Sequence, residues 1–312
     1  MPSILFVKTS SLGDVVHHGP AVSDTRRALP DASIDWVVEE SFADIARLHP
    51  GVRRVIPVAV RRWRRRLYDP ATWRELAAFR RTLSAERYQR VIDTQGLVKS
   101  ALIAASARGE KHGYDAASAR EPLAARFYDV QHAVPAAMHA VERNRALAGA
   151  ALGVAPGGAV DYGFAVETSA VEPSVVLLTM TSRADKLWPE ARWRELIGWL
   201  GARALSCVLP WGSAPERERC ARIASGYAHA RIAEHMALGQ LAAMLARARA
   251  VAGVDTGLTH LAAGLGAPVA GIFCGSDPAL TGLYGAARVR NLGAPGTPPQ
   301  AGEVRAALEA WL

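Results

Sequence analysis

The chain has 312 residues, half of them hydrophobic, and a formal charge of +8. Single cores stop growing near about 250–300 residues, so two domains are expected. The three cysteines, Cys207, Cys220 and Cys274, are odd in number and lack metal spacing, which argues for reduced thiols in a cytoplasm and against a disulfide framework. Lys8 interrupts the first apolar run, Ile4 to Val7, and no run nears the roughly 20 apolar residues of a membrane span. Neither a secretory signal nor a transmembrane helix is therefore expected.

In chain order, apolar runs predict strands at 3–8, 33–38, 52–58 and 89–94, with helical patterns at 15–28, 71–85, 97–107 and 136–151. A turn-rich stretch, A-P-G-G-A-V-D-Y-G at 155–163, reads as a linker. The rhythm then restarts. Strands are predicted at 174–180, 204–209, 250–254 and 268–273, with a weaker one near 229–233; helices at 189–201, 214–226, 238–248 and 256–265. The last helix, 301–312, either continues the second domain or crosses back to the first. Strands alternating with helices predict an α/β chain with parallel sheets. Two Rossmann-like halves result, 1–157 and 158–300. Ligands of such sheets bind at the carboxyl ends of the strands, so two facing sheets would share an interdomain cleft.

Charge is unevenly divided: +7 over residues 1–155 and +1 over the remainder. The excess concentrates in R-R-V-I-P-V-A-V-R-R-W-R-R-R at 53–66, which holds seven arginines and Trp63. A solvated face is the ordinary reading of a charge run. An unpaired cluster this dense repels itself unless anions occupy it, and phosphates of a lipid headgroup or of a nucleic acid would both serve.

Three motifs follow predicted strands. V-K-T-S-S-L-G-D at 7–14 places Thr9, Ser10, Ser11 and Asp14 at the end of the first strand. Capping of the next helix accounts for one hydroxyl. Asp14 is then free to accept a proton from an attacking hydroxyl. T-M-T-S-R-A-D-K at 179–186 offers Thr181, Ser182, Arg183 and Lys186 as a diphosphate cradle, although polar loops of this composition are common. V-D-T-G-L-T-H at 254–260 sets Asp255, Thr256 and Gly257 at a helix start, where amides and dipole favour oxyanions. Taken alone, Asp255 reads as a cap and His260 as a satisfied helix histidine. No G-x-G-x-x-G, G-x-S-x-G or H-E-x-x-H occurs, which removes the dinucleotide, common hydrolase and zinc-protease readings. No D-x-D pair is present to hold a metal–diphosphate complex.

Together these stretches resemble the bacterial lipopolysaccharide heptosyltransferases, and within them the members that add the first heptose. The resemblance runs through K-T-S-S-L-G-D-V (8–15), D-W-V-V-E-E (35–40), V-I-D-T-Q-G-L-V-K-S (91–100), A-R-E-P-L-A (119–124), D-K-L-W-P (185–189), L-P-W-G (209–212) and V-D-T-G-L-T-H-L (254–261). It implies a GT-B glycosyltransferase with two facing Rossmann-like domains, inversion at the anomeric carbon, and no metal or other cofactor. The donor would be ADP-heptose and the acceptor the Kdo sugar of Kdo2-lipid A. The site would be cytoplasmic, peripheral on the anionic inner membrane, with no nucleic-acid partner. Carried over by motif, Asp14 is the base, and Thr181, Ser182 and Lys186 hold the diphosphate. Glu216 meets the ribose and Met236 packs on adenine. Asp255, Thr256, Gly257 and His260 lie near the sugar and phosphate. Arg61, Arg62, Arg64 and Arg120 face the acidic acceptor. The family motif often reads T-T-R-D-D-K; here Ser182 keeps a hydroxyl, whereas Ala184 lacks the carboxylate.

Three rivals remain open at this level. An enzyme adding the second heptose shares the chemistry. A basic nucleic-acid-binding protein would use the arginine run but gives Asp14 and Lys186 no role. A catalytically idle nucleotide-sugar binder would not need Asp14.

Overall fold

The computed structural model describes residues 2–155, 157–167 and 174–312; Pro156, within the stretch expected as a linker, lies outside them. The chain divides into two compact units, Met1–Phe164 and Ala165–Leu312.

The first unit is built on strands β1 (Ser3–Val7), β2 (Ser33–Glu39), β3 (Arg54–Val58), β4 (Arg87–Asp93), β5 (Arg108–Tyr114) and β6 (Val130–His132). They form one parallel sheet in the order β3-β2-β1-β4-β5-β6. Strands buried on both faces read as continuous apolar runs, and β1 is such a strand, with Ile4, Leu5, Phe6 and Val7 fully buried. On one face Leu5, Val7, Ile56, Leu83, Val91 and Ile103 form a core that also takes in Trp63 and Phe79.

The second unit carries β7 (Val175–Leu178), β8 (Cys207–Leu209), β9 (Ala230–Ile232), β10 (Ala250–Val254), β11 (Val269–Ile272) and β12 (Val289–Leu292). Their order, β12-β11-β10-β7-β8-β9, is again parallel. Read from β9, it is the same doubly wound sequence as in the first unit. Its core packs Val175, Leu177, Ala252 and Ile272 against Trp188, Trp193 and Leu196. The two tryptophan rings meet edge to face at 4.8 Å, and the Trp188 indole N–H donates to the Pro299 carbonyl at 2.8 Å. A Cβ at Gly253 of β10 would lie 2.3 Å from Thr259 Oγ1, so glycine is what lets the following helix close onto the strand.

Two sequence expectations need correction. Strands β5, β6 and β12 were not among those predicted: R-G-E-K-H-G-Y in β5 carries polar side chains and two glycines, and β6 and β12 are short edge strands. The helical pattern at 15–28 is two helices, Leu12–Val16 and Gly19–Ala28. The stretch read as a linker lies largely on the first unit. Tyr162 is buried, Arg145 donates to the Gly157 and Gly158 carbonyls, and the Gly157 carbonyl also accepts from Arg27. The last helix, Ala301–Glu309, puts Ala301, Val304 and Leu308 into the core of the second unit.

Candidate active site

In doubly wound sheets the crevice for ligands opens where consecutive connections diverge, at the carboxyl ends of the two central strands. In the first unit those strands are β1 and β4, with Val7 paired to Asp93 in register. The turn after β1, residues 8–11, leads into helix Leu12–Val16 with Ser11 at its N-cap. Asp14 accepts from the Ser11 amide at 2.8 Å. The carboxylate thus supplies the reciprocal half of a capping box, from the first helical turn back to the N-cap amide.

Asp14 is also held from the side. Arg120 donates to its Oδ1 at 2.6 Å and to its Oδ2 at 3.3 Å. Burial pushes the carboxyl up, but Lys8 and Arg120 outweigh it and hold Asp14 down at about 2. Lys8 is buried. Its ammonium donates to the Thr94 carbonyl at 2.8 Å and to Asn144 Oδ1 at 3.1 Å. Desolvation lowers it to about 8 despite the nearby Asp14.

The loop after β4 supports this turn through a relay that the sequence reading left without a role. Fully buried Asp93 accepts from Tyr128 at 2.7 Å and from the Gln95 amide at 2.8 Å. Gln95 Oε1 accepts from the Thr9 and Ser10 amides at 3.0 and 3.2 Å, and its Nε2 donates to the Ser10 carbonyl at 2.5 Å. Desolvation raises the Asp93 carboxyl, opposed by these hydrogen bonds. Glycine at 113 permits the Tyr128 ring to lie over β5, since a Cβ there would come within 2.2 Å of it. Lys99 Nζ donates to Ser10 Oγ at 2.8 Å, adding a cation beside the turn. The D-T-Q-G-L-V-K run at 93–99 was the available signal: it spans the end of the strand predicted at 89–94 and carries an acid, two further polar side chains and a lysine.

The arginine run is less free than its sequence suggests. Arg53 and Arg54 converge on the buried carboxylate of Asp35, which also accepts from Tyr88 at 2.7 Å. Arg62 pairs with Glu40 at 3.0 Å and Glu75 at 2.8 Å. Trp63 is a core residue, edge to face with Phe79 at 5.7 Å, its N–H on Glu75. The expectation of an unpaired cluster is therefore corrected: acids distant in sequence answer part of it. Arg61 lies over the Phe42 ring at 5.0 Å, while Arg64, Arg65 and Arg66 are exposed.

In the second unit the central strands are β7 and β10, with Leu178 paired to Gly253. The loops that follow them bring Thr181, Lys186, Asp255 and His260 together. Lys186 Nζ donates to Asp255 Oδ2 at 2.6 Å, and His260 Nε2 meets Asp255 Oδ1 at 3.1 Å. The Ser276 hydroxyl donates to the same carboxylate, and Thr181 Oγ1 donates to the Asp255 carbonyl at 3.0 Å. Burial alone would raise the Asp255 carboxyl; His260, Lys186 and Ser276 hold it far below the usual range. Asp255 does not cap the helix, as a lone D-T-G would suggest. Thr256 is the N-cap of Gly257–Gly264, which leaves the acid to organise the cluster. Ser276 follows β11, the strand beside β10, and no sequence feature singled it out.

The remaining candidates stand apart from this cluster. Ser182 is exposed in the same loop. Glu216 spends Oε2 on the Gly212 and Ser213 amides at 2.7 and 3.2 Å, capping helix Ala214–Ala224. Met236 is half-buried in the loop after β9. Among the described residues no group of three or more His, Cys, Asp or Glu side chains is placed to hold a metal ion. No helix among them is long and apolar enough to cross a membrane.

Comparison with known proteins gives this geometry a context. The model of glycosyltransferase family 9 (heptosyltransferase) matches residues 76–306. The chain is 46% identical to lipopolysaccharide heptosyltransferase 1 of Salmonella typhimurium strain LT2, over 90% of this chain and 91% of that one. Against the Pseudomonas aeruginosa PAO1 protein of the same name it is 47% identical, over 92% and 82%. The solved structure of E. coli heptosyltransferase WaaC with ADP superposes with a TM-score of 0.92 at 42% identity, covering 99% of this chain and all of that one. The GT-B architecture expected from the sequence follows, each Rossmann-like unit carrying one of the parallel six-stranded sheets. Matched by the family model over most of its length and by relatives well above 30% identity, the chain belongs to glycosyltransferase family 9, the heptosyltransferases.

Proposed function

We propose that the chain transfers heptose from ADP-heptose to the Kdo sugar of a lipid A-linked acceptor, with inversion, in building the inner core of lipopolysaccharide. Heptosyl transfer in that pathway is the activity named for its relatives of 46–47% identity. A WaaC structure with ADP-2-deoxy-2-fluoro heptose superposes at a TM-score of 0.89 and 42% identity, which supports ADP-heptose as donor. The observation that carries the residue assignment is Asp14, a mostly buried carboxylate at the carboxyl end of β1, ringed by the cations Lys8 and Arg120.

The reaction is a single displacement. The acceptor hydroxyl gives its proton to Asp14 as its oxygen bonds to the anomeric carbon. The bond from that carbon to the ADP oxygen breaks, and ADP departs with the electron pair. Lys186 neutralises charge growing on the diphosphate, helped by amides at the start of helix Gly257–Gly264. Asp255 holds Lys186 in place and offers oxygens to sugar hydroxyls. Thr181, Ser182 and His260 complete the donor site, with Glu216 and Met236 towards the nucleoside. A carboxyl held near 2 is a weak base, so binding of an acidic acceptor, which competes for Arg120, strengthens Asp14 when it is needed. Arg61, Arg64 and Lys99 add positive charge for the same acceptor, and Arg62 does so only if it leaves Glu40 and Glu75.

The test is incubation with ADP-heptose and Kdo2-lipid A, in parallel with an already heptosylated acceptor, followed by mass analysis of the lipid. Gain of one heptose by Kdo2-lipid A is expected. Product from the heptosylated acceptor alone would refute the acceptor assignment.

A further inference from the structure

Large apolar side chains left in water are few among the described residues, and half of them cluster. Among the described residues six are well exposed, and three of these, Leu67 (55%), Tyr68 (85%) and Trp73 (56%), lie within seven positions. They occupy the loop between helices Val60–Trp63 and Pro70–Ala85 and the first turn of the second helix. The loop is anchored: the Trp73 indole N–H donates to the Leu67 carbonyl at 2.8 Å, and Asp69 caps the helix through the Ala71 amide at 2.9 Å.

Arginines frame the patch. Arg65 and Arg66 precede it, Arg74 adjoins it, and Arg80 lies two turns along the helix on the same face as Trp73, since seven residues make about two turns. All four are exposed, and none forms an ion pair among the described residues. The acids of the segment are engaged elsewhere, Asp69 in capping and Glu75 with Arg62 and Trp63. An apolar centre with a predominantly cationic rim is left, Glu75 being the carboxylate that Arg66 also influences.

We infer that Leu67, Tyr68 and Trp73 dip into the interfacial layer of an anionic lipid bilayer while Arg65, Arg66, Arg74 and Arg80 engage its headgroups. This deepens the proposed reaction, on whose lipid-linked acceptor it rests, by naming residues that dock the enzyme without touching either substrate. Tyrosine and tryptophan suit such a layer because each has an apolar body and a polar edge. Leu67 favours lipid over nucleic acid, since an aliphatic side chain offers bases nothing to stack on. Uncompensated arginines supply the long-range attraction.

The test is co-sedimentation of the full chain with phosphatidylcholine vesicles and with mixed phosphatidylcholine–phosphatidylglycerol vesicles at physiological ionic strength. Wild type is expected to bind the mixed vesicles and to leave the neutral ones largely free. Tyr68→Ser/Trp73→Ser, which keeps every charge, should lose about tenfold in affinity. Arg65→Glu/Arg66→Glu should lose about fivefold or more for each arginine. Tyr68→Ser alone changes a side chain already in water, so it must shift binding in the same direction with an unaltered melting temperature. All variants should turn over a deacylated, water-soluble acceptor at the wild-type rate. Equal binding of variants and wild type, no preference for the anionic vesicles, or binding of a DNA duplex in place of vesicles would overturn the inference. Vesicle binding as described, but no turnover of the soluble acceptor by wild type, would uphold the surface and count against the reaction.

Discussion

Replacing Arg120 by glutamine removes the guanidinium that contacts both Asp14 oxygens, at 2.6 and 3.3 Å, and keeps most of the side chain's bulk. Asp14 lies at about 2 against an ordinary 3.8, with burial opposing and Lys8 and Arg120 producing the depression. At about 1.36 kcal/mol per pH unit, the full depression corresponds to roughly 2.4 kcal/mol. Lys8 holds a share of this. Arg120 is 42% exposed, so solvent screening reduces its part to about 1 kcal/mol. Arg120→Gln is therefore expected to move Asp14 up by somewhat under one pH unit. The sign is fixed by linkage. A carboxyl depressed in the folded state contributes stability above its unfolded value, and that contribution is lost as the pH falls through the folded value. The variant should thus be less stable than wild type at neutral pH by about 1 kcal/mol, with the difference closing between about pH 4 and 2. Carbon-13 titration of the aspartate carboxyls, with Asp14→Asn for assignment, reads the shift directly, and urea unfolding at several pH values reads the linked stability. An Asp14 titration that does not move, or moves down, would refute the reasoning that Arg120 governs this carboxylate.

Other consequences are as direct. Lys186→Ala should weaken ADP-heptose binding measured by calorimetry and slow turnover, because Asp255 is left without its 2.6 Å cation and the diphosphate without its counter-charge; unchanged donor affinity would argue against the cradle. Asp35→Ala leaves Tyr88 without its acceptor and Arg53 and Arg54 with only the Glu86 carboxylate, and because both arginines are partly exposed it should cost about 1–3 kcal/mol in urea unfolding at neutral pH. The Asp35 carboxyl is depressed, so wild type should lose this stability only as the pH falls below the ordinary carboxylate range. Gln95→Ala removes the link between β4 and the Lys8–Ser11 turn and should lower kcat more than it raises the KM for donor, as expected of a positioning residue. Equal effects on both constants would contradict that role.

Much of this was legible in the residues, for reasons that vary by place. The strands β1, β7 and β10 are buried on both faces and announce themselves as apolar runs, so the turns that carry Asp14, Thr181 and Asp255 could be located at strand ends; β4 is buried only over its last residues, Val91 to Asp93. Edge strands such as β6 and β12 are short and half-exposed, and their patterning does not separate them from loops. Pairing over long sequence distance was invisible. The arginine run looked unpaired because Asp35, Glu40, Glu75 and Glu86 answer it from other elements. Asp255 resembled a helix cap because its contacts with Lys186 and Ser276 arise only when three strands lie side by side. Gln95 escaped for the same reason: its role is to bond the backbone of a turn 85 residues away.

The central claim is that the Asp14 carboxylate takes the acceptor's proton while the donor is held by the other unit. The most direct measurement compares Asp14→Asn with wild type in single-turnover transfer to Kdo2-lipid A and in ADP-heptose affinity. The account predicts a fall in the transfer rate of about 10²–10⁴-fold with donor affinity essentially kept. Transfer at the wild-type rate, or a fall explained entirely by lost donor binding, would contradict it.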